Sequence, residues 1–350
     1  MYTPVKHILP MTLIRRERVL PAPGKVLARA GQKVNVADVI AEANLYPEYL
    51  LIDVARTLHI SAEKADRILQ CQVGDQIAQA DIIAGPIGLT RRLIRSPREG
   101  RVVLVGSGQV LLEIAGKPYQ LKAGMPGEVV DLIPDRGAII ETGGALVQGV
   151  WGNGKIEFGA IRVLAQSPEF EVKAADLDVS LRGSITLAGY CQDEEVLKTA
   201  EELPLRGLIF SGMAARCIPQ ASRLSIPVIV LEGFGKYAYN PAAYKLLATN
   251  EQRPAAINAE MSASYSAARP EVIIPLAVPS SVGLPVEIAP LAANQTARLL
   301  RSPYSGETGV IVAHKGRVTF QSGLRAEAVE VRLENGQNVV VPIANLELIA

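Results

Sequence analysis

The sequence predicts a multidomain, mainly β protein with an inserted α/β domain. Three observations support this prediction. Short apolar runs broken by Gly, Pro and Asp fill residues 1–175, strand and helix patterns alternate over 176–265, and alternating β-type segments return over 296–350. A chain of 350 residues is also long enough for more than one hydrophobic core.

Composition excludes several broad classes of function. The chain carries 36 basic and 35 acidic residues, for a net charge of +1, so no overall field attracts nucleic acid or an acidic membrane. Aromatic residues make up only 5%, which leaves few platforms for base stacking. Any nucleic-acid binding would therefore have to be local.

Cys71, Cys191 and Cys217 lie far apart in the sequence, and their odd number predicts free, buried thiols in a reducing compartment. Cys191, near a predicted strand end, is the one candidate for a reactive thiol. Prolines and charge interrupt the N-terminal segment, unlike a secretory signal, and no apolar run approaches the ~20 residues of a membrane span. We therefore expect a cytoplasmic protein.

An N-terminal β domain over residues 1–120 is predicted from a repeated segment. Residues 31–41, GQKVNVADVIA, and residues 74–84, GDQIAQADIIA, share the frame Gly-x-x-Val/Ile-x-x-Ala-Asp-Val/Ile-Ile-Ala. A glycine turn followed by apolar positions predicts a short buried strand, formed twice within one compact unit. Between the repeats, Ser61 precedes good helix formers and predicts a short helix near 61–70.

The repeat, together with SPREGRV at 96–102, resembles the biotinyl/lipoyl-like barrel-sandwich hybrid over residues 20–115. The resemblance implies barrel-sandwich-hybrid-like N-terminal β modules. Carrier members of that family present an exposed lysine between the two signatures, whereas residues 89–95 are LTRRLIR here. We therefore expect a module used for packing and binding, with no lipoate or biotin attachment and no other cofactor.

Residues 121–175 continue with β-type runs and are predicted to pack on the first domain as an additional β segment. A small parallel α/β, Rossmann-like domain is predicted to follow over 176–265. Strand patterns alternate there with helix patterns, at 184–189, 193–203, 207–211, 214–224, 227–231 and 241–248. Continuous apolar strands separated by helices are typical of a parallel sheet.

A ligand site is predicted where these parallel strands end, because their carboxyl ends lie along one edge. Ser211 and Gly212 precede a predicted helix and would receive an anion, while Glu232, Gly233 and Gly235 follow the next strand. Glu232 is the carboxylate at a strand end. The alternative is that Ser211 caps the helix and the glycines form turns.

A Pro-rich linker over 266–295 and a β domain over 296–350 complete the chain. Asn335-Gly336 between alternating segments predicts a hairpin. The strand order and the closing VPIANLE at 341–347 resemble a KOW-type SH3-like barrel, which implies RNA, the ribosome or RNA polymerase as a partner. Six basic and five acidic residues from Thr296 onward do not supply the basic stripe that such binding needs.

The densest basic run comprises Arg91, Arg92, Arg95, Arg98 and Arg101, five arginines against one acidic residue in 11 positions. This run is a candidate for binding phosphate, nucleic acid or an acidic partner. A solvated loop is the alternative interpretation.

Residues of catalytic type do not form a recognisable constellation. His7, His59 and His314 lie in separate regions without metal-ligand spacing, no metal site is predicted, and no nucleophile elbow or phosphate loop is present. We therefore expect a non-catalytic multidomain binding or adaptor protein with a protein partner. Two alternatives stay open: an RNA-, ribosome- or transcription-associated protein acting through the C-terminal barrel, and small-ligand or nucleotide binding, with or without catalysis, at the α/β domain.

Overall fold

The computed structural model describes residues 2–45, 47–88, 91–114, 116, 118–261, 269–279 and 281–350. Among the described residues, strands make up 48% and helices 14%, so the prediction of a mainly β protein is confirmed. Within the described residues, no helix combines the length and the apolar character that a bilayer crossing requires.

Up to residue 148, the regular structure of the described residues consists of strands and two short helices. They are β1 (Tyr2–Lys6), β2 (Ile8–Val19), β3 (Lys25–Val26), β4 (Lys33–Val34), β5 (Val39–Ala43), β6 (Glu48–Asp53), α1 (Val54–Leu58), α2 (Ala62–Asp66), β7 (Gln76–Ile77), β8 (Ile82–Ile87), β9 (Arg92–Arg95), β10 (Gly100–Gly106), β11 (Gln109–Ile114), β12 (Tyr119–Lys122), β13 (Gly127–Ile133) and β14 (Gly137–Gln148).

The remainder contains longer helices and a second series of strands. They are β15 (Trp151–Gly152), β16 (Ile156–Val163), β17 (Glu171–Val172), β18 (Ser184–Cys191), α3 (Glu194–Glu202), β19 (Gly207–Met213), α4 (Ile218–Arg223), β20 (Val228–Phe234), α5 (Pro241–Thr249), β21 (Pro254–Asn258), β22 (Glu271–Pro275), β23 (Ile288–Pro290), β24 (Thr296–Leu299), β25 (Thr308–Thr319), β26 (Arg325–Leu333), β27 (Asn338–Pro342) and β28 (Leu346–Ile349). Short 3-10 turns lie at Ala174–Asp176, Val179–Leu181, Ala215–Cys217 and Ile343–Asn345.

Residues 48–114, here called the inner unit, have a hydrophobic core of their own. The sheet β6-β11-β10-β7 and the pair β8-β9 use strands from this range alone. Among the described residues, every side chain of the corresponding core lies between Leu50 and Ile114. The unit is inserted between β5 and β12, which pair directly with each other, with Ala43 opposite Tyr119.

Residues 20–45 and 118–148, here called the outer unit, repeat the strand arrangement of the inner unit. β4 pairs antiparallel with the start of β13, and β7 pairs in the same way with the start of β10. The hairpins that follow, β13-β14 and β10-β11, each carry an irregularity immediately after a buried valine, Val129 and Val102. The two units are therefore built on one plan.

The turn in each repeat is closed by the same hydrogen bond. Asp38 accepts from the backbone N–H of Asn35 at 2.7 Å, and Asp81 accepts from that of Ala78 at 2.8 Å. In this plan the β5-β12 hairpin of the outer unit corresponds to the β8-β9 hairpin of the inner unit. The inner unit is thus inserted at the end of the β5-β12 hairpin of the outer unit. The inner unit itself contains the corresponding hairpin, β8-β9.

The prediction that both repeats lie in one compact domain over 1–120 is wrong. Residues 31–41 pack in a core with Val129 and Ile140, whereas residues 74–84 pack in the inner unit with Val102. The physical reason is that a two-residue strand buries a single apolar side chain and depends on its partner strand, which differs between the repeats. Residues 121–148 accordingly complete the first repeat's core instead of adding a segment to a finished domain.

A large sheet joins the outer unit to the α/β region. Its order in the described chain is β15-β20-β19-β18-β16-β21-β22-β14-β13-β4, with β17 beside β18 and β2 beside β14. β16, β18, β19 and β20 run parallel, and the strands from β21 to β13 run antiparallel. Residues 271–275, inside the predicted linker, form β22 between β21 and β14, because Val272, Ile273 and Ile274 supply three consecutive buried apolar side chains.

A second sheet holds both ends of the chain, in the order β23-β1-β28-β24-β25-β26-β27. β1 lies parallel to β28, and the N–H of Ile8 donates to the carbonyl of Ala350 at 2.8 Å. The turn at Asn335-Gly336 joins β26 to β27, as the sequence predicts. Over the described strands this order does not close on itself, so the SH3-like barrel stays a prediction.

The nested insertion predicts that the inner unit can be removed. Because Ala43 and Tyr119 are already paired, an Asn-Gly turn joining residues 44 and 118 should close the β5-β12 hairpin. We expect this variant to unfold cooperatively. Its melting temperature should lie within about 5 °C of the temperature at which the same residues unfold in the full chain. Circular dichroism and calorimetry test this expectation, and a variant that is insoluble or lacks a cooperative transition would contradict it.

Candidate functional site

The parallel strands β18, β19 and β20 end side by side at Cys191, Met213 and Phe234. Gly212 on β19 pairs with Gly233 on β20. The structure therefore brings the candidate site residues of neighbouring strands to one edge of the sheet. What occupies that edge decides whether a ligand has access to it.

Ser211 lies inside β19 with its side chain fully buried. The predicted position before a helix is wrong, because the apolar Met213 extends the strand and α4 begins only at Ile218, after a 3-10 turn. Among the described residues the Ser211 hydroxyl has no hydrogen-bond partner. Ser211 is therefore not a helix cap, and it does not present its hydroxyl to solvent.

Tyr237 covers the ends of these strands. Its hydroxyl lies 2.9 Å from the Oγ of Ser305, in the C-terminal segment, and a Cβ added to Gly306 would lie 2.7 Å from its ring. The N–H of Gly235 donates to the carbonyl of Met213 at 3.0 Å. The glycines permit this close approach of backbone and ring, so the strand edge is covered by the protein itself.

Glu232 belongs to a group of four buried residues and one half-buried residue, here called the ion cluster, formed by Lys6, Glu232, Arg298, Glu347 and the half-buried Arg269. Glu232 Oε2 lies 2.9 Å from Lys6 Nζ and 3.2 Å from Arg298 Nη1. Glu347 Oε1 lies 3.2 Å from the same Arg298 atom, and Glu347 Oε2 lies 2.8 Å from Arg269 Nη1. The cluster thus connects β20 of the large sheet to β1, β24 and β28 of the second sheet.

Burial makes these charges dependent on one another. Lys6 is fully buried, and Glu232, Arg298 and Glu347 are each exposed by 6% or less. Lys6 also donates to the carbonyl of Leu231 at 2.7 Å. Burial lowers the pKa of Lys6, against the attraction of Glu232, which favours the charged form. An unpaired charge in such surroundings costs several kcal/mol. Glu232 therefore stabilises the contact between the two sheets by staying paired with its two cations.

The thiols near this edge are not activated. Cys191 and Cys217 are buried, and burial raises the pKa of both thiols. Since the thiolate is the nucleophile, Cys191, the one candidate for a reactive thiol, is not activated by its surroundings. In the described part of the chain, no group of three or more His, Cys, Asp and Glu side chains is placed to hold a metal ion.

The arginine run is divided between two strand pairs. Arg91, Arg92 and Arg95 lie on the β8-β9 hairpin, Arg98 lies in the turn after it, and Arg101 lies in β10. All five side chains are exposed. Residues 89 and 90, also part of the stretch considered for lysine attachment, lie outside the described residues.

The five arginines differ in their partners. Arg98 Nη1 lies 3.2 Å from Glu48 Oε2, and Arg95 Nη1 donates to the carbonyl of Ala80 at 2.9 Å. Within the described residues, Arg91, Arg92 and Arg95 have no acidic side chain within ion-pair distance. The hairpin therefore carries the largest unneutralised part of the run.

The chain also contains an open cleft of about 870 Å³ along β2. Arginines from β2 line it, but each is paired with a carboxylate, in the pairs Arg15–Glu141, Arg16–Glu271 and Arg18–Glu260. These pairs neutralise the three arginines, so the cleft does not offer their positive charge to a ligand. Its walls come from segments distant along the chain, so no local sequence pattern predicts it.

No protein-family model matches this chain. A search of the curated proteins likewise gives no significant match.

Glu232→Gln tests the ion cluster by removing one charge with little change of shape. Lys6 and Arg298 would then lose a shared buried partner, so we expect the free energy of unfolding to fall by about 3–5 kcal/mol. The matched control is Glu251→Gln, whose exposed carboxylate lies 3.9 Å from Arg162 and should contribute less than about 1 kcal/mol. Urea denaturation measures both, and equal losses would contradict the assignment.

The surroundings of His7 predict that the stability of the folded protein depends on pH. Its Nδ1 lies 3.1 Å from Gln148 Oε1, its Nε2 lies 3.1 Å from the carbonyl of Val286, and burial lowers the pKa of His7 from 6.5. As pH falls below 6.5, the unfolded chain binds this proton first, so folded-state stability should decrease. Denaturation on both sides of pH 6.5 should show a smaller acid loss in His7→Gln than in the natural chain. An unchanged acid loss would contradict this role.

Proposed function

We propose that this protein is a non-catalytic adaptor, in which a rigid body carries the inner unit as its partner-binding element. The ion cluster is the observation that supports the proposal most directly. Glu232, the one carboxylate at the predicted strand-end site, is paired with Lys6 and Arg298. A carboxylate that is paired in this way is better suited to stabilising the contact between two sheets than to catalysis or ligand binding.

We further propose that the inner and outer units are both barrel-sandwich-hybrid-like modules and that residues 296–350 form a KOW-type, SH3-like module. The shared strand plan of the two units supports the first assignment. Lys64 is the only lysine in residues 48–114, and it lies on α2 and not on the β8-β9 hairpin. This position favours a binding module over a carrier of lipoate or biotin.

A protein partner is favoured over RNA at the C-terminal segment. Basic side chains there are paired with acidic ones, as in Lys315–Glu330 at 2.7 Å and Arg317–Glu327 at 3.6 Å. RNA binding depends on basic groups that are available to phosphates. The paired charges leave fewer such groups on this sheet.

Affinity purification from the native cytosol tests the adaptor proposal. The full chain and the variant lacking the inner unit would be tagged alike and compared by quantitative mass spectrometry. We expect specific partners to be recovered with the full chain and reduced at least about tenfold with the shortened one. Equal recovery of the same partners by both chains would contradict the role of the inner unit.

A thermal-shift panel of nucleotides and metabolites tests the alternative of ligand binding at the α/β region. Ser211→Ala is a suitable variant, because the hydroxyl that it removes is buried without a partner among the described residues. We expect no compound to raise the melting temperature by more than about 2 °C in either chain. A larger rise in the natural chain that disappears in Ser211→Ala would favour the ligand-binding function.

A further inference from the structure

The β8-β9 hairpin carries charge of one sign. From Ile82 to Arg98 the chain has four arginines and no acidic residue. Arg91, Arg92 and Arg95 are exposed, and within the described chain no carboxylate lies within ion-pair distance of them. By contrast, Arg15, Arg16 and Arg18 on β2 are each paired. The hairpin therefore has unmatched positive charge in a protein whose net charge is only +1.

The position of this hairpin in the fold is a second observation. Its counterpart in the outer unit, β5-β12, leads at its end into the whole inner unit. In the inner unit the same hairpin carries no inserted module. The exposed arginines thus lie on the hairpin that corresponds to the one at which the outer unit attaches the inner unit.

The chemistry of the hairpin favours an acidic protein over nucleic acid. A guanidinium group binds a carboxylate through two parallel hydrogen bonds. Arg91 and Arg92 each offer such a group, and Arg95 offers the N–H groups that remain beside its bond to the carbonyl of Ala80. Residues 82–98 contain no aromatic side chain for stacking a base, whereas Leu93 is 38% exposed and offers apolar contact. An acidic segment with interspersed apolar residues matches both features.

We propose that the β8-β9 hairpin binds an acidic, partly apolar segment of a protein partner through Arg91, Arg92, Arg95 and Leu93. This inference rests on the proposed adaptor function and specifies the chemistry of the partner. Charge pairing attracts the acidic segment to the hairpin. The contact with Leu93 favours this segment over a purely ionic polymer.

Fluorescence anisotropy with the full chain tests the proposal. The probes are a labelled glutamate-rich peptide with interspersed leucines, the same peptide with serines replacing the leucines, and an oligouridylate of equal length. We expect the leucine-containing peptide to bind most tightly in dilute salt. The triple variant Arg91→Gln, Arg92→Gln, Arg95→Gln should weaken its binding at least about tenfold.

The matched control is the triple variant Arg182→Gln, Arg223→Gln, Arg301→Gln, which removes the same charge from exposed positions outside the inner unit. We expect it to bind the peptide as the natural chain does. An equal loss in both triple variants, or no loss in the hairpin variant, would overturn the proposal. Tighter binding of oligouridylate than of the peptide would replace an acidic protein by RNA as the partner class.

The two functional proposals fail separately in these experiments. If the peptide does not bind the full chain, the acidic-segment inference is wrong, whereas the adaptor proposal is decided by partner recovery with and without the inner unit. If partners are recovered equally by both chains, the adaptor role of the inner unit is wrong whatever the peptide does.

Discussion

The buried ion cluster is the interaction on which the arrangement of the two large sheets depends. Two carboxylates, Glu232 and Glu347, are shared by Lys6, Arg298 and Arg269. Lys6 belongs to the first strand and Glu347 to the last, so the cluster joins both ends of the chain to β20. Since a buried charge without its partner is strongly unfavourable, these elements are expected to stay together in the folded state.

This constraint also bears on function. In an open α/β sheet the carboxyl edge is where ligands bind, and here that edge is covered by Tyr237, by the C-terminal segment and by the cations of the ion cluster. The inner unit, in contrast, has its own core and is joined to the body at the end of a hairpin. The proposed adaptor function rests on these two features, the sheets joined by buried charges and the module with its own core.

The sequence was sufficient to predict strands and turns whose residue pattern lies within one short segment. Apolar runs at 184–189 and 207–211 lie within buried strands, and Asn335-Gly336 forms the predicted turn. The pairing of the two repeats was not predictable, because each short strand depends on a partner distant along the chain. The cluster was missed for the same reason: Lys6 and Glu232 are separated by 226 positions, and only folding brings them together. Ser211 was misplaced because a strand end depends on what packs beyond it.

Native-state hydrogen exchange tests the central claim most directly, because it reports the opening free energy of each segment. The central claim is that the ion cluster joins the two large sheets into one cooperative unit. It predicts that amides in β1, β20 and β28 exchange through a single common opening. Amides of β10 and β11 in the inner unit should exchange through a separate opening of lower free energy. Separate exchange of the C-terminal strands, at a lower opening free energy than β18–β20, would contradict it.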